Sequence, residues 1–147
     1  MPVAAAGEDY VTVAVASNFG ATAREIAAQF EQESHYEVRM TTASTGKLYA
    51  QIVNGAPFDV LLSADAERPR RLEASGAGVA GTRFTYAFGA LVLWSRQVED
   101  CRAELQSDGG GLVAIANPDT APYGAAARSY LRQAGLWDAL RERLVIG

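Results

Sequence analysis

The stretch VTVAVASNFGATAREIAAQF, residues 11 to 30, decides the fold. Val11, Val13 and Val15 are β-branched residues at alternating positions, the pattern of a strand lying in a sheet. Over residues 21 to 32 the apolar residues Ala23, Ile26, Ala27 and Phe30 recur at helical spacing and make one stripe to be buried. Between the two stand Ser17, Asn18 and Gly20, small or polar residues that suit a helix start. The first unit therefore reads strand, turn, helix.

The same order repeats downstream. Residues 36 to 40 read as a second strand, STGKLYAQIVNGAP (44 to 57) as a turn and a short helix stopped at Gly55 and Pro57, and FDVLLSAD (58 to 65) as a third, buried strand. AERPRRLEASGAG, residues 66 to 78, makes another short helix. Strands alternating with helices predict an α/β fold with a parallel sheet and crossover helices. After GVAGTRFTYAFG, residues 78 to 89, the texture changes: ALVLW, residues 90 to 94, reads as a long strand leaving the first lobe, with a domain crossing near residue 85. SDGGG (107 to 111) is a loop, LVAIANP (112 to 118) a strand that stops at Asn117 and Pro118, and GAAARSYLRQAG (124 to 135) a helix ending at Gly135. LWDALRERL, residues 136 to 144, reads as a last helix before VIG.

Composition narrows the function. Of 147 residues, 49% are hydrophobic and 20% charged, which supports a buried core. A net charge of -4 with scattered basic residues lacks the footprint of a nucleic-acid binder, so any bound anion must be attracted by local groups. Cys101 is the single cysteine and is read as an unpaired thiol. No apolar run reaches the roughly 18 residues of a membrane span. MPVAAAGEDY, residues 1 to 10, lacks the basic start and apolar middle of a signal peptide, but its small residues before an acidic pair read as the remnant of a trimmed export signal bearing an initiating Met.

Three strand-to-helix turns share one character: ASNFG (16 to 20), ASTGK (43 to 47) and APYGA (121 to 125). Each puts small or hydroxylic residues where a helix leaves unpaired N–H groups and a partial positive charge. One such turn is an ordinary cap; three at the ends of parallel strands, where α/β sheets hold ligands, point to an anion. Lys47, the only lysine, does not make STGKL a phosphate loop, because Thr41 stands where that loop's first Gly belongs and Leu48 where Ser or Thr must follow. Catalysis lacks its residues. Asp59 and Asp65 bracket the third strand and are the only residues that could serve as a cleft acid or base, but Asp65 reads most simply as a helix cap; His35 stands apart from any ligand-spaced Cys or His, and no G-x-S-x-G elbow serves Ser17, Ser44 or Ser63.

Taken together, VAVASNF, STGKLYAQIVNGAPFDVLLSAD and ANPDTAPYGAAAR resemble, over essentially the whole chain and in order, the periplasmic molybdate-binding proteins of ABC transporters. The resemblance implies a two-lobed class II periplasmic-binding-protein-like fold, each lobe a mainly parallel sheet flanked by helices. Residues 1 to 85 would form the N-terminal part of the first lobe and residues 86 to 147 part of the second. Family members are longer, which implies that the C-terminal remainder of both lobes, with further second-lobe ligands, is absent from this chain.

Carried over residue by residue, Ser17 becomes a hydroxyl and backbone donor with the Asn18 amide beside it. Thr45 becomes the second hydroxyl ligand with Ser44 its neighbour, Tyr123 a backbone donor from the second lobe, and Ser63 a residue lining the cleft. The ligand so implied is molybdate or tungstate, held as an oxyanion with no direct bond from protein to metal and no cofactor. The partner is the membrane permease of the transporter, and the protein an exported, periplasmic monomer without enzymatic activity. The alternatives are an effector-sensing domain, or an enzyme on the same two-lobed fold acting on another small anion.

Overall fold

The computed structural model describes residues 9 to 107 and 109 to 147. The export-signal remnant read at residues 1 to 8, and Asp108 of the SDGGG loop, lie outside the described residues. The chain divides into two compact units between Thr85 and Tyr86.

The first unit is a three-stranded sheet in the order β2-β1-β3, with β1 (Tyr10–Ala16) in the middle, β2 (Glu37–Ala43) on one side and β3 (Val60–Leu62) on the other. All pairings are parallel. Because parallel neighbours need a crossover, each strand is followed by a helix: α1 (Gly20–Glu33), α2 (Thr45–Val53) and α3 (Glu67–Ser75). The middle strand has a neighbour on both sides, so its Ala14, Val15 and Ala16 are at most 1% exposed. Leu48 of α2 and Leu72 of α3 are buried with them.

The α1 stripe is only half buried. Ala23 and Ala27 are buried in α1, whereas Ile26 and Phe30, one row round the helix, remain 54% and 44% exposed. Small residues let a helix sit close to a strand, and that close seat leaves the bulkier row outside. Gly76, at a left-handed φ of 77°, ends α3 in the usual glycine conformation.

The second unit contains α4 (Cys101–Gln106), β4 (Val113–Ile115), α5 (Pro122–Gln133) and β5 (Leu144–Ile146), with β4 and β5 paired in parallel. Leu105, Leu131 and Leu140 form its core, with Val113, Leu136, Trp137 and Leu144 packed against them. Two expectations are corrected in this unit. Residues 90 to 94 form no strand, and Val92 and Trp94 are 78% and 72% exposed. Among the described residues no neighbouring strand pairs with that segment, and an apolar run alone does not make a strand.

Residues 136 to 144 are likewise not a helix but a run of turns that returns the chain to β4 as β5. Arg143 fixes that return: its guanidinium donates to the carbonyls of Ser107 at 2.7 Å, Gly111 at 3.0 Å and Glu104 at 3.4 Å. Three carbonyls gathered from the end of α4 and the loop after it by a single planar cation outweigh the weak helical preference of nine residues.

Asp59 locks β3 to β1. Its Oδ2 accepts from the Thr12 N–H at 2.8 Å and from the Thr12 hydroxyl at 2.7 Å, while its own N–H donates to the Thr12 carbonyl at 2.9 Å. The Thr12 backbone donor, then the Thr12 hydroxyl, hold the Asp59 carboxyl below its ordinary pKa. A lowered folded-state pKa contributes stability above the unfolded value, about 3.9, and loses it as pH falls through the folded value. Asp59→Ala should therefore lower the urea midpoint of the first unit, followed by circular dichroism at pH 7. The gap to wild type should close progressively below about pH 4; a gap of the same size at pH 3 would show that the carboxylate charge is not what holds the strand.

Candidate functional site

The three parallel strands bring their carboxyl ends to one edge of the sheet. Ala16 is level with Ala43, and Val15 with Leu62, so Ser17, Ser44 and Ser63 each follow closely on the last paired positions of adjacent strands. The chain leaves β1 toward β2 on one side and comes back to β3 on the other. Such a reversal opens a crevice outside the strand ends, where open α/β sheets take their ligands.

After β1, residues Ser17–Phe19 make one 3-10 turn that runs straight into α1, the Gly20 N–H donating to the Ser17 carbonyl. The Ser17 and Asn18 side chains are exposed. A Cβ on Gly20 would lie 3.1 Å from Thr42 Cγ2, so the missing side chain lets α1 begin close against β2.

After β2, Ser44 is the extended N-cap residue of α2, at φ -64° and ψ 146°, yet its side chain caps no helix N–H. Among the described residues, Ser44 Oγ is the buried side-chain oxygen or nitrogen left without a hydrogen-bond partner. A buried hydroxyl normally finds one, because leaving it unpaired costs roughly 1 to 3 kcal/mol. Thr45 beside it is fully buried, and its Oγ1 accepts from the Ala64 N–H at 3.1 Å. Accepting there leaves the Thr45 hydroxyl proton available to donate elsewhere. Lys47, two residues further along α2, is exposed.

After β3 the chemistry differs. The Ser63 hydroxyl donates to the Asp65 carbonyl at 2.7 Å and accepts from the Asp65 N–H at 3.2 Å, so its proton is used to shape the turn. Asp65 caps α3 as the sequence suggests: Oδ1 accepts from the Arg68 N–H at 2.8 Å, and Oδ2 from the Arg68 guanidinium at 2.5 Å.

The helices thus fall into two kinds. At α3 and α4 an acidic side chain satisfies the first turn, Asp65 in one and Asp100 in the other, the latter accepting from the Arg102 and Ala103 N–H groups. At α1, α2 and α5 there is neither a side-chain cap bond nor an acidic residue in the first turn. The uncapped starts are the three turns that stand out in the sequence. At these three starts no side chain among the described residues caps the first turn, and no acidic residue there offsets the positive dipole end.

In the second unit α5 starts at Pro122, which has no N–H, so the Tyr123 and Gly124 amides are its first donors. The Tyr123 hydroxyl packs on the backbone of Gly89. Burial, and then the neighbouring Tyr123, push the Tyr86 hydroxyl above its usual pKa. With its ring engaged inside the unit, Tyr123 can offer a ligand its amide. Gly124 was not singled out in the sequence, although a Cβ there would run into the Ala116 carbonyl oxygen and lie 2.6 Å from the carbonyl carbon of Asn117. A glycine two residues into a helix is the signal that would have found it.

The other candidates lie apart from this chemistry. Cys101 is half-buried, its thiol directed at the Val98 carbonyl at 3.5 Å, and His35 is exposed 3.5 Å from Asp9. Among the described residues no three His, Cys, Asp or Glu side chains gather in a way that could hold a metal ion. A hollow of about 460 Å³ in the second unit is lined mostly by apolar side chains, Leu91, Leu93, Leu105, Ile115 and Leu131 among them.

Residues 11–147 match the family described as bacterial extracellular solute-binding protein. The molybdate-binding protein ModA of Azotobacter vinelandii is 49% identical over 140 residues, which cover 93% of this chain and 56% of that protein. ModA of Rhodobacter capsulatus is 46% identical over 147 residues, covering 98% of this chain and 57% of that one. Among solved structures, the periplasmic molybdate-binding protein of Azotobacter vinelandii superposes with a TM-score of 0.86 at 42% identity, over 93% of this chain and 62% of that chain. The chain therefore spans a little over half the length of the curated relatives it matches.

Gly124 gives the packing of α5 onto β4 a direct check. Gly124→Ala should destabilise the second unit by about 2 kcal/mol or more, since backbone atoms block the added carbon. Trp94 and Trp137, the two tryptophans, both lie in that unit, so fluorescence-monitored urea unfolding reports on it. A variant as stable as the wild type would mean that α5 does not start this close to β4.

Proposed function

The chain belongs to the bacterial extracellular solute-binding proteins, and on that premise we propose that it binds molybdate, and tungstate equally, as an exported periplasmic receptor that delivers the oxyanion to an ABC-transporter permease. The donors are the Ser17 hydroxyl and amide, the Asn18 amide, the Ser44 and Thr45 hydroxyls and, from the second unit, the Tyr123 amide. Ser63 shapes the turn beside them through its bonds to Asp65. The protein acts by binding and release, as a monomer, and catalyses no reaction.

The observation that carries this reading is Ser44 Oγ, buried without a partner at the start of an uncapped helix. An unpaired buried hydroxyl is destabilising unless a ligand completes it. An oxyanion does so, because hydrogen bonds to a charged acceptor are the strong ones.

The donor chemistry also selects among anions. Molybdate is a tetrahedral dianion with no proton near neutral pH, so it asks only for donors. Phosphate carries a proton that needs an acceptor, and Asp65, a carboxylate at that edge, already receives the Arg68 N–H and guanidinium. Sulfate is as bare as molybdate but smaller, so the separation of the donor groups must exclude it. Tungstate is nearly the same size as molybdate, and these donors treat the two alike.

Titration calorimetry tests the assignment. Molybdate and tungstate should bind with similar affinity, and sulfate and phosphate at least about 100-fold more weakly; sulfate binding as tightly as molybdate would sink it. Ser44→Ala isolates the carrying observation. Lacking a protein partner for Oγ, the variant should be at least as stable as wild type, gaining up to the roughly 1 to 3 kcal/mol that the unpaired hydroxyl costs. It should nevertheless bind molybdate about 10- to 100-fold more weakly, the worth of one hydrogen bond to a charged group. Unchanged affinity would remove Ser44 from the site.

A further inference from the structure

The cations of the first unit are unequally occupied. Arg39, Arg68, Arg70, Arg71 and Arg83 are each in an ion pair, with Glu37, Asp65, Glu67, Glu67 and Glu73 respectively. Arg24 and Lys47 have no such partner among the described residues, and both are exposed. Lys47 is the third residue of α2 and Arg24 the fifth of α1, the uncapped helices that start at the carboxyl edge of the sheet.

Lys47, in the first turn of α2, is placed against helix electrostatics. A cation near a helix N-terminus opposes the macrodipole and is mildly destabilising, while an acidic residue there would be favourable. Both helices lack an acidic residue in the first turn, and α2 has Lys47 as its third residue. Long helical side chains lean toward the N-terminus, which directs these two toward the strand ends. For Arg24 this is visible: its guanidinium comes within 4.0 Å of where a Cβ on Gly20, the first residue of α1, would stand.

The carboxylates are distributed the other way. Asp9, Glu37 and Asp59 stand at the amino ends of the three strands, and Glu31 and Glu33 at the far end of α1. Asp65 and Glu67, which begin α3 at the carboxyl edge, are matched by Arg68, Arg70 and Arg71. Glu25 alone offsets the pair from nearby, on the residue after Arg24. A chain of net charge -4 thereby keeps its ligand-facing edge from repelling an anion.

We infer that Arg24 and Lys47 steer oxyanions to the carboxyl edge, accelerating their capture without ligating them. The inference rests on the reading of that edge as an oxyanion site. Steering by fixed charges acts on the encounter, so it appears in the association rate and fades with salt as the Debye length shortens to about 10 Å at 0.1 M. A ligating role would appear in the dissociation rate instead. The ligand contacts remain uncharged donors, and the two cations set how often an anion reaches them.

The test is stopped-flow measurement of molybdate association and dissociation over a salt series, for the wild-type protein, the Arg24→Gln/Lys47→Gln double variant and Lys47→Arg. The double variant should associate about tenfold more slowly at low salt, the lower end of the steering range. Its rate should be nearly flat with salt, with dissociation unchanged within about twofold, while Lys47→Arg keeps the wild-type rate and slope. An association rate and salt slope equal to wild type in the double variant, or a loss confined to dissociation, would overturn the steering role while leaving the oxyanion site intact. A wild-type protein that takes up no molybdate would overturn the site itself, and the steering role with it.

Discussion

The first unit depends on β1 being shared by two parallel neighbours. Parallel pairing on both sides buries Ala14, Val15 and Ala16 completely, and it also forces every strand to end at the same edge. The crossovers then place three turns side by side, with no freedom to scatter them. At the opposite end the pairing is secured by Asp59, whose carboxylate and N–H hold the entry of β3 to Thr12. The lock stands at the other end of the strands, so the register that aligns Ser17 with Ser44 does not rely on the groups proposed to meet the ligand.

Helix electrostatics gives that edge its sign. At α3 and α4, among the described residues, an Asp supplies the negative charge the first turn calls for. At α1, α2 and α5 that charge is withheld, and at α2 a neighbouring serine hydroxyl is buried without a partner. Local stability has been forgone at one set of places and secured at the other. An oxyanion held by uncharged donors accounts for both halves of the pattern, because it supplies the missing acceptor and the missing negative charge together.

Much of this was legible in the sequence, for physical reasons that differ by residue. Alternating valines and the spacing of Ala23 and Ala27 fixed strand and helix, and the small polar residues after β1 and β2 marked the helix starts. Their sharing of one edge followed from parallel topology. What stayed hidden depends on contacts that periodicity does not carry. Ile26 and Phe30 share the spacing of a buried stripe, but Ala23 and Ala27 alone set the seat of α1. Residues 90 to 94 have the composition of a strand, yet a strand exists only where a neighbour takes its hydrogen bonds. Residues 136 to 144 look helical until Arg143 gathers three distant carbonyls and turns the chain into β5. At the site itself, Ser44 was named as Thr45's neighbour, but its unpaired state, and the fact that Ser63 spends its proton on Asp65, require coordinates.

In the proposed function the oxyanion meets the donors of the carboxyl edge. Backbone amide chemical-shift mapping during a molybdate titration reads that place directly. The account expects the largest changes at the amides of residues 17 to 20, 44 to 47 and at Tyr123, with the strand interior of β1 little affected. Saturable changes confined to other surfaces, such as the residues around the apolar hollow of the second unit, with residues 17 to 20 and 44 to 47 silent, would contradict it.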